Sequence, residues 1–371
     1  MNVLVCAAFH HYTGPAITAL TEAVWLKRAG VEVELAISLK PKGNLVERVE
    51  AAGLDVLPLK LYRKRPDILT AIDDIRALRK VLPGFDAVVS HHSHDHWLCI
   101  LARGRSRRPI VVREIHRTKE VGSRPFSRWI FRRTDGFIVV GSSLGRALAD
   151  RFAIDEARIS FAPVSVDVDR FRPDLDGSVF RRRHGIPDGA FVVGIVSRMK
   201  PRRGHELVLH AAKLLSDRLP ELRWALIGRG ELRPKVERLM GELGLEDRVS
   251  IWGYVGDELP FAICACDLML LLGEPSEGGC RAAVESAACA RPTLAPRIGA
   301  VFDVFEPEAE AFVLKRREPE VLADRIVELA ADRQRLLDAG RRARTKVERL
   351  CSEPRRTERI VEHIERLVHE V

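Results

Sequence analysis

Continuous apolar runs of strand length, separated by segments of helical length, constrain this chain more than any other feature. Residues 2–8 (Asn-Val-Leu-Val-Cys-Ala-Ala) form one such run and residues 191–196 (Phe-Val-Val-Gly-Ile-Val) another. A strand that is apolar throughout, rather than alternating, is buried on both faces, as in a parallel sheet covered by helices. Between the first run and the next, at 31–37, a helix is expected over 16–29, closed by Gly30. That is a β-α-β unit. Its first turn carries Gly14 but no Gly-x-Gly-x-x-Gly, so the usual dinucleotide fingerprint is missing.

The alternation continues. Strands are expected at 55–59, 85–90, 109–113, 135–140 and 158–164, and helices at 66–81, 124–133 and 144–152, the last capped by Ser142 or Ser143. A second series begins at 191–196 and runs through a strand and loop at 224–230, a strand and turn at 249–255, and strands at 267–272 and 292–295. Charged residues with Gly and Pro at 172–189 suit a linker. A length of 371 residues also favours two domains. The expected fold class is therefore α/β, with two doubly wound parallel-sheet domains.

The stretch 267–289 carries the chemistry. An apolar run, Asp-Leu-Met-Leu-Leu-Leu, is followed by Gly-Glu-Pro-Ser-Glu-Gly-Gly and then by a small-residue helix from Arg281. Strand, glycine loop and helix N-terminus make a corner where exposed N–H groups and the helix dipole attract an anion. Glu277 sits in the loop and Glu285 just over a turn inside the helix. Carboxylates beside a phosphate would repel it, so these two should meet hydroxyl groups. A ligand with phosphates for the N–H groups and hydroxyls for the carboxylates is a nucleotide sugar. The net charge of +9 agrees with an anionic partner without choosing one.

Other features narrow the field. The seven cysteines lie in apolar runs without metal-site spacing, which suggests small buried hydrophobes in a reducing compartment. Residues 1–5 start directly as a strand, so no leader is expected, and no apolar run approaches the ~18 residues that span a bilayer. His91, His92, His94 and His96 invite a metal reading, but an extended strand end would send alternate residues to opposite faces. No metal is expected. Basic residues are spread over several loops with no recognised nucleic-acid motif, so no nucleic acid is expected either. In residues 124–133, Phe126, Trp129, Ile130 and Phe131 alternate with Arg128, Arg132 and Arg133. Such a helix either rests on an anionic membrane or turns its aromatic groups to the sheet and its arginines to water.

Pro275-Ser276-Glu277-Gly278, followed by Glu285-Ser286-Ala287-Ala288-Cys289-Ala290-Arg291-Pro292, resembles the Glu-x7-Glu region of the retaining group 1 (family four) glycosyltransferases. The resemblance extends over nearly the whole chain. Arg198, Arg203 and Gly204 match that family's Gly-Arg-x-x-x-x-Lys-Gly loop, with Ser197 for its glycine and Arg203 for its lysine. Val166-Asp167 and Phe171-Arg172-Pro173 match its domain junction, and His116 its acceptor-side histidine. Thr13, Cys280, Ala290 and Ala300 depart from its pattern.

The resemblance implies the GT-B arrangement of two Rossmann-like domains facing across a cleft. Residues 1–170 would form the acceptor-side domain, with the amphipathic helix 355–371 packing back on it, and 171–354 the donor domain. It implies transfer of a sugar, with retention, from a nucleoside-diphosphate sugar to an acceptor hydroxyl, without metal or cofactor. Arg198 and Arg203 would hold the diphosphate, Glu277 the donor sugar hydroxyls, Glu285 the ribose and His116 the sugar and acceptor. Gly14, Gly278, Gly279 and Cys280 would line the donor through close backbone approach, and Gly253, Tyr254 and Val255 the nucleobase. The expected partners are a nucleotide sugar and a glycan or lipid-linked acceptor, with peripheral contact to an anionic membrane at its cytoplasmic face. Synthesis of a bacterial polysaccharide, lipopolysaccharide or glycolipid would fit. Two other readings stay open: a sugar phosphorylase on the same scaffold, and a non-catalytic nucleotide-sugar-binding protein.

Overall fold

The computed structural model describes residues 1–9, 14–38, 44–60, 68–121, 125–273, 280–297 and 299–371. The chain forms two compact units, one of residues 1–163 with 353–371 and one of residues 164–352. The division thus falls a few residues before the position expected at 170. Residues 172–189 lie inside the second unit, and they contain a short helix.

The first unit is built on seven strands: β1 (Asn2–Ala7), β2 (Glu32–Ser38), β3 (Asp55–Leu59), β4 (Ala87–Ser90), β5 (Ile110–Ile115), β6 (Gly136–Val139) and β7 (Ile159–Phe161). They lie in the order β3-β2-β1-β4-β5-β6-β7 with every pairing parallel. Its helices are α1 (Gly14–Arg28), α2 (Leu45–Ala51), α3 (Ile68–Val81), α4 (Ser93–Arg103), α5 (Pro125–Arg132) and α6 (Ser142–Phe152).

In the second unit the strands are β8 (Phe191–Val196), β9 (Leu222–Ile227), β10 (Val249–Gly253), β11 (Leu268–Leu270), β12 (Thr293–Ala295) and β13 (Ala311–Val313). Their order is β10-β9-β8-β11-β12-β13, again all parallel. Its helices are α7 (Ser178–Arg183), α8 (His205–Leu214), α9 (Arg233–Glu242), α10 (Leu259–Cys264), α11 (Arg281–Ala288), α12 (Val301–Val304), α13 (Pro319–Ala330) and α14 (Arg333–Leu350). The last helix, α15 (Glu353–His369), returns to the first unit and buries Ile360, Ile364 and Leu367 in its core.

The apolar runs are buried as their composition requires. The inner strands β1, β4, β5 and β8 contain hardly an exposed side chain. All seven cysteines are free and buried. Two local expectations fail. The segment after Ser90 does not stay extended: His92 accepts a hydrogen bond through Nδ1 from the backbone N–H of His94 and so caps α4. The four histidines are thereby divided among a strand end, a cap and a helix. Helix α6 begins at Ser142, with Gly141 at its cap and no side-chain cap bond, so the two serines lie within its first turn rather than before it.

Close backbone contacts surround one departure from the family pattern, though they do not account for the alanine. Ala290 adopts φ 52°, in the left-handed region where glycine is favoured. Gly340 of α14 lies directly against it; a Cβ there would meet the Ala290 carbonyl oxygen at 2.1 Å. The alanine is retained at the strained position, and the bare helix face packs over it.

Candidate active site

In an open α/β sheet, ligands bind outside the carboxyl ends of the strands where the strand order reverses. In the second unit that point lies between β8 and β11, and in the first between β1 and β4. Most residues singled out from the sequence follow these strands.

The loop after β8 contains Arg198 and Arg203. It is locked to the loop after β9 through backbone groups. Ser197 N–H donates to Ile227 O at 2.9 Å, Met199 N–H to Arg229 O at 3.1 Å, and Leu232 N–H to Met199 O at 3.0 Å. Two glycines make this approach possible: a Cβ on Gly228 would meet Ser197 O at 2.1 Å, and one on Gly230 would meet Met199 O at 2.2 Å. Arg198 stands exposed on this braced loop, and no described residue bonds its guanidinium. Arg203 is half-buried against Gly273, just past the end of β11: a Cβ on Gly273 would lie 2.9 Å from Arg203 Cδ. Arg203 is thus beside the start of the glycine loop. Neither Gly228 nor Gly230 stood out in the sequence, although their spacing around Arg229 carries the signal.

Behind Arg203, Gly204 adopts φ +91° against Leu272, and His205 opens α8. Burial, with Arg203 nearby, lowers the His205 pKa to about 4, so its ring is neutral at physiological pH. Helix α11 begins after Cys280 without a side-chain cap. Cys280 is buried, and burial raises its thiol pKa. Glu285 lies inside α11. Burial raises its pKa, with Arg281 and then Arg170 pulling the other way. Among the described residues, no hydrogen-bond donor meets its carboxylate. Glu277, Gly278 and Gly279 lie outside the described residues, as does Thr13.

At the end of β10, Gly253 has φ +72° and Tyr254 is 70% exposed. The Arg229 guanidinium stacks 4.6 Å from the Tyr254 ring centroid. The two together form a flat, polarisable surface suited to a ring system. Val255 follows, half-buried.

In the first unit, Gly14 is the first residue of α1, and His116 follows β5 directly. His116 belongs to a buried network of charged groups. Arg356 of α15 donates from Nη1 to Glu22 Oε2 at 2.7 Å and from Nη2 to Glu114 Oε1 at 2.6 Å. His91 Nε2 lies 3.2 Å from Glu22 Oε1, and His116 Nε2 3.3 Å from Glu114 Oε1. Burial raises the Glu22 carboxyl, with Glu114 adding to it. For Glu114, burial acts upward, but Arg356 and then His116 outweigh it and hold the group well below the usual carboxylate range. Burial would lower His91, yet Glu22 and Glu114 raise it on balance. Burial takes His116 down to about 3, against the pull of Glu114, so its imidazole is neutral.

The ligand-type atoms of His91, Glu114 and His116 lie within 4.8 Å of one another, which is metal-like spacing. The fit to a metal is nevertheless poor. Arg356 already sets a full positive charge against Glu114, and a divalent ion would be repelled by it. Sequence reasoning missed Glu22, Glu114 and Arg356. The one signal was Arg113-Glu114 inside an otherwise apolar strand, since a buried charge demands a partner.

Helix α5 shows a mixed face. Ile130 and Phe131 are buried, with Phe131 stacked on Phe152 at 4.7 Å, while Trp129 is 42% exposed between Arg128 and Arg132. Its aromatic groups therefore do not all turn to the sheet. Among the described residues, no helix is long and apolar enough to cross a membrane.

Comparison with known proteins agrees with this geometry. Residues 178–346 match the family model described as glycosyl transferases group 1, and residues 12–170 that described as glycosyltransferase family 4. The chain belongs to the group 1 glycosyltransferases. One relative of this glycosyltransferase is a D-inositol 3-phosphate glycosyltransferase from Nocardia farcinica, 28% identical over 366 residues, with 89% of this chain and 80% of the relative covered. Another is a GDP-mannose-dependent alpha-(1-6)-phosphatidylinositol monomannoside mannosyltransferase from Mycolicibacterium smegmatis, 27% identical, covering 58% of this chain and 59% of the relative. Among solved structures, a glycosyltransferase from Rickettsia africae superposes with a TM-score of 0.87 at 16% identity, over 100% of this chain and 99% of that one. Anabaena HepE in complex with UDP gives 0.82 at 18% identity, over 99% and 100%. At such identities these structures establish the fold, the GT-B class of two Rossmann-like domains.

Proposed function

We propose that this glycosyltransferase moves a sugar, with retention of anomeric configuration, from a nucleoside-diphosphate sugar to an acceptor hydroxyl. The observation that carries the reading is the meeting at one strand-order reversal of a braced cationic loop, Arg198 and Arg203, with a helix N-terminus and Glu285. Arg198 and Arg203 take the diphosphate, and their charge stabilises it as the bond to the anomeric carbon breaks. No metal is assigned, because these cations serve the leaving group. Glu285 accepts hydrogen bonds from the ribose, and Glu277 from the donor sugar hydroxyls. The backbones of Gly14, Gly278, Gly279 and Cys280 approach the donor closely. Gly253, Tyr254 and Val255 line the nucleobase, and His116 meets the sugar and the acceptor.

HepE, solved with UDP and with UDP-glucose, supports a nucleotide donor. The inositol phosphate and phosphatidylinositol relatives support a phosphorylated or lipid-linked acceptor, which the net charge of +9 also favours. The setting that fits is assembly of a bacterial glycolipid or polysaccharide at the cytoplasmic membrane face. Trp129 and its flanking arginines would make the membrane contact. The protein is expected to sediment with anionic vesicles at low salt, and to do so less after Trp129→Ala; indifference of the wild type to anionic vesicles would remove the membrane from the proposal.

The donor is tested by thermal unfolding with UDP, GDP, ADP, TDP and CDP. A nucleotide at about a hundred times its Kd adds roughly 2.7 kcal/mol, a shift of a few degrees. One nucleotide should give that shift, and Glu285→Ala should weaken its binding by about ten- to a hundredfold, the loss of hydrogen bonds to a charged group. No shift with any nucleotide, together with phosphate-dependent cleavage of a disaccharide, would replace the transferase reading by the phosphorylase.

A further inference from the structure

We propose that Glu114 and Arg356 are positioning residues that fix the tautomer of His116, so that Nε2 carries its proton and Nδ1 presents a lone pair to a ligand hydroxyl. The proposal rests on the reading of His116 as the group that meets sugar and acceptor.

The argument starts from what a carboxylate can do. Ionised Glu114 only accepts hydrogen bonds. Its Oε1 lies 3.3 Å from His116 Nε2, unaligned as a hydrogen bond but close enough for its charge to favour a proton on that nitrogen. The proton of the neutral ring therefore belongs on Nε2, which leaves Nδ1 as the acceptor. The ring has little freedom to do otherwise. It stacks on His91, centroids 5.8 Å apart and planes 21° apart, and its residue is 8% exposed.

Glu114 can lock His116 only while it stays ionised and in place, and Arg356 secures both. Its planar fork spans two carboxylates, Nη2 on Glu114 Oε1 and Nη1 on Glu22 Oε2. A lysine keeps the charge but cannot form the fork. Glu22 in turn engages His91 Nε2 at 3.2 Å, and His91 Nδ1 lies 3.7 Å from Glu114 Oε2. The ring of contacts thus closes through α1, β4, β5 and α15, four elements brought together by folding alone. The helix that supplies Arg356 is separated from Glu114 by 242 residues of sequence.

The test is nitrogen NMR of the full chain labelled with 15N-histidine, with the His116 signals assigned by their absence in His116→Gln. The wild type should show His116 in the Nε2–H form, favoured about tenfold or more, as a charge-assisted hydrogen bond implies. Glu114→Gln offers the ring both a donor and an acceptor, so the preference should fall to near even. Arg356→Lys should reduce it and shift the His116 signals, while thermal unfolding shows that the chain remains folded. A wild-type His116 in the Nδ1–H form overturns the proposal, as does Glu114→Gln with an unchanged tautomer ratio. Unchanged signals in Arg356→Lys remove Arg356 from it. The reading beneath it fails separately: if His116→Gln transfers sugar at the wild-type rate, His116 is not at the reaction, whatever its tautomer.

Discussion

Replacing Arg356 by methionine should destabilise the first unit by about 3–5 kcal/mol, the usual effect of removing one partner from a buried ion pair. Arg356 is 3% exposed and bonds two carboxylates that are themselves buried. Without it, Glu22 and Glu114 remain side by side with His91 as their chief counter-charge. The loss should appear as faster amide exchange in residues 1–163 and 353–371, with residues 164–352 little changed. Its pH dependence has a definite sign. In the wild type, Arg356 helps hold Glu114 well below the usual carboxylate range, so this carboxylate contributes stability above its unfolded pKa that is lost in acid. In the variant, burial dominates and the folded state retains protons more readily than the unfolded chain. The gap between variant and wild type should therefore narrow as pH falls from 7 toward 5. A loss under about 1 kcal/mol would mean that the network is hydrated and exchangeable.

The largest effect on activity is expected at Arg198. Replacing it by alanine should lower the transfer rate by about 10²–10³, the magnitude seen when one preorganised donor to developing charge is removed. The fold should not suffer, because the loop is held by backbone hydrogen bonds and by the close approach of Gly228 and Gly230, not by the arginine side chain. The midpoint of thermal unfolding should stay within about a degree, as for surface substitutions generally. Nucleotide affinity should change less than kcat, since the charge on the diphosphate grows as the sugar leaves. A kcat/KM within threefold of wild type would exclude Arg198 from the leaving-group contacts.

Much of the architecture was legible because short apolar runs bounded by turn residues and spaced by helix-length segments suit parallel strands buried on both faces. The runs at 2–8 and 191–196 were read correctly as strands for that reason. What stayed hidden was of two kinds. Short elements with mixed composition escaped: α2, α4, α12 and β13 have only four to eleven residues or three, too few for a clear period. The histidine run shows the difficulty, since nothing in its composition says that His92 will turn its ring back to cap a helix. The other kind was long-range pairing. Glu22 and Arg356 look like ordinary surface charges in sequence, Glu114 stands out only as a charge inside an apolar strand, and folding alone makes the three one group. Arg198, Arg203 and Glu285 are proposed for the donor from motif spacing, while Gly228 and Gly230 matter because of a neighbouring backbone that the sequence does not display.

The return of α15 to the first unit also sets an order of events during synthesis. Glu22 is made before its partner Arg356, which follows 334 residues later. At ~5–20 residues per second the interval is some tens of seconds. Throughout it, the first unit lacks the helix that adds Ile360, Ile364 and Leu367 to its core and the cation that neutralises its carboxylates. The second unit, by contrast, is contiguous from 164 to 352 and has all its parts before the first is complete. The unit made first is therefore the one finished last, and a nascent chain must shelter its buried acids until the final helix arrives.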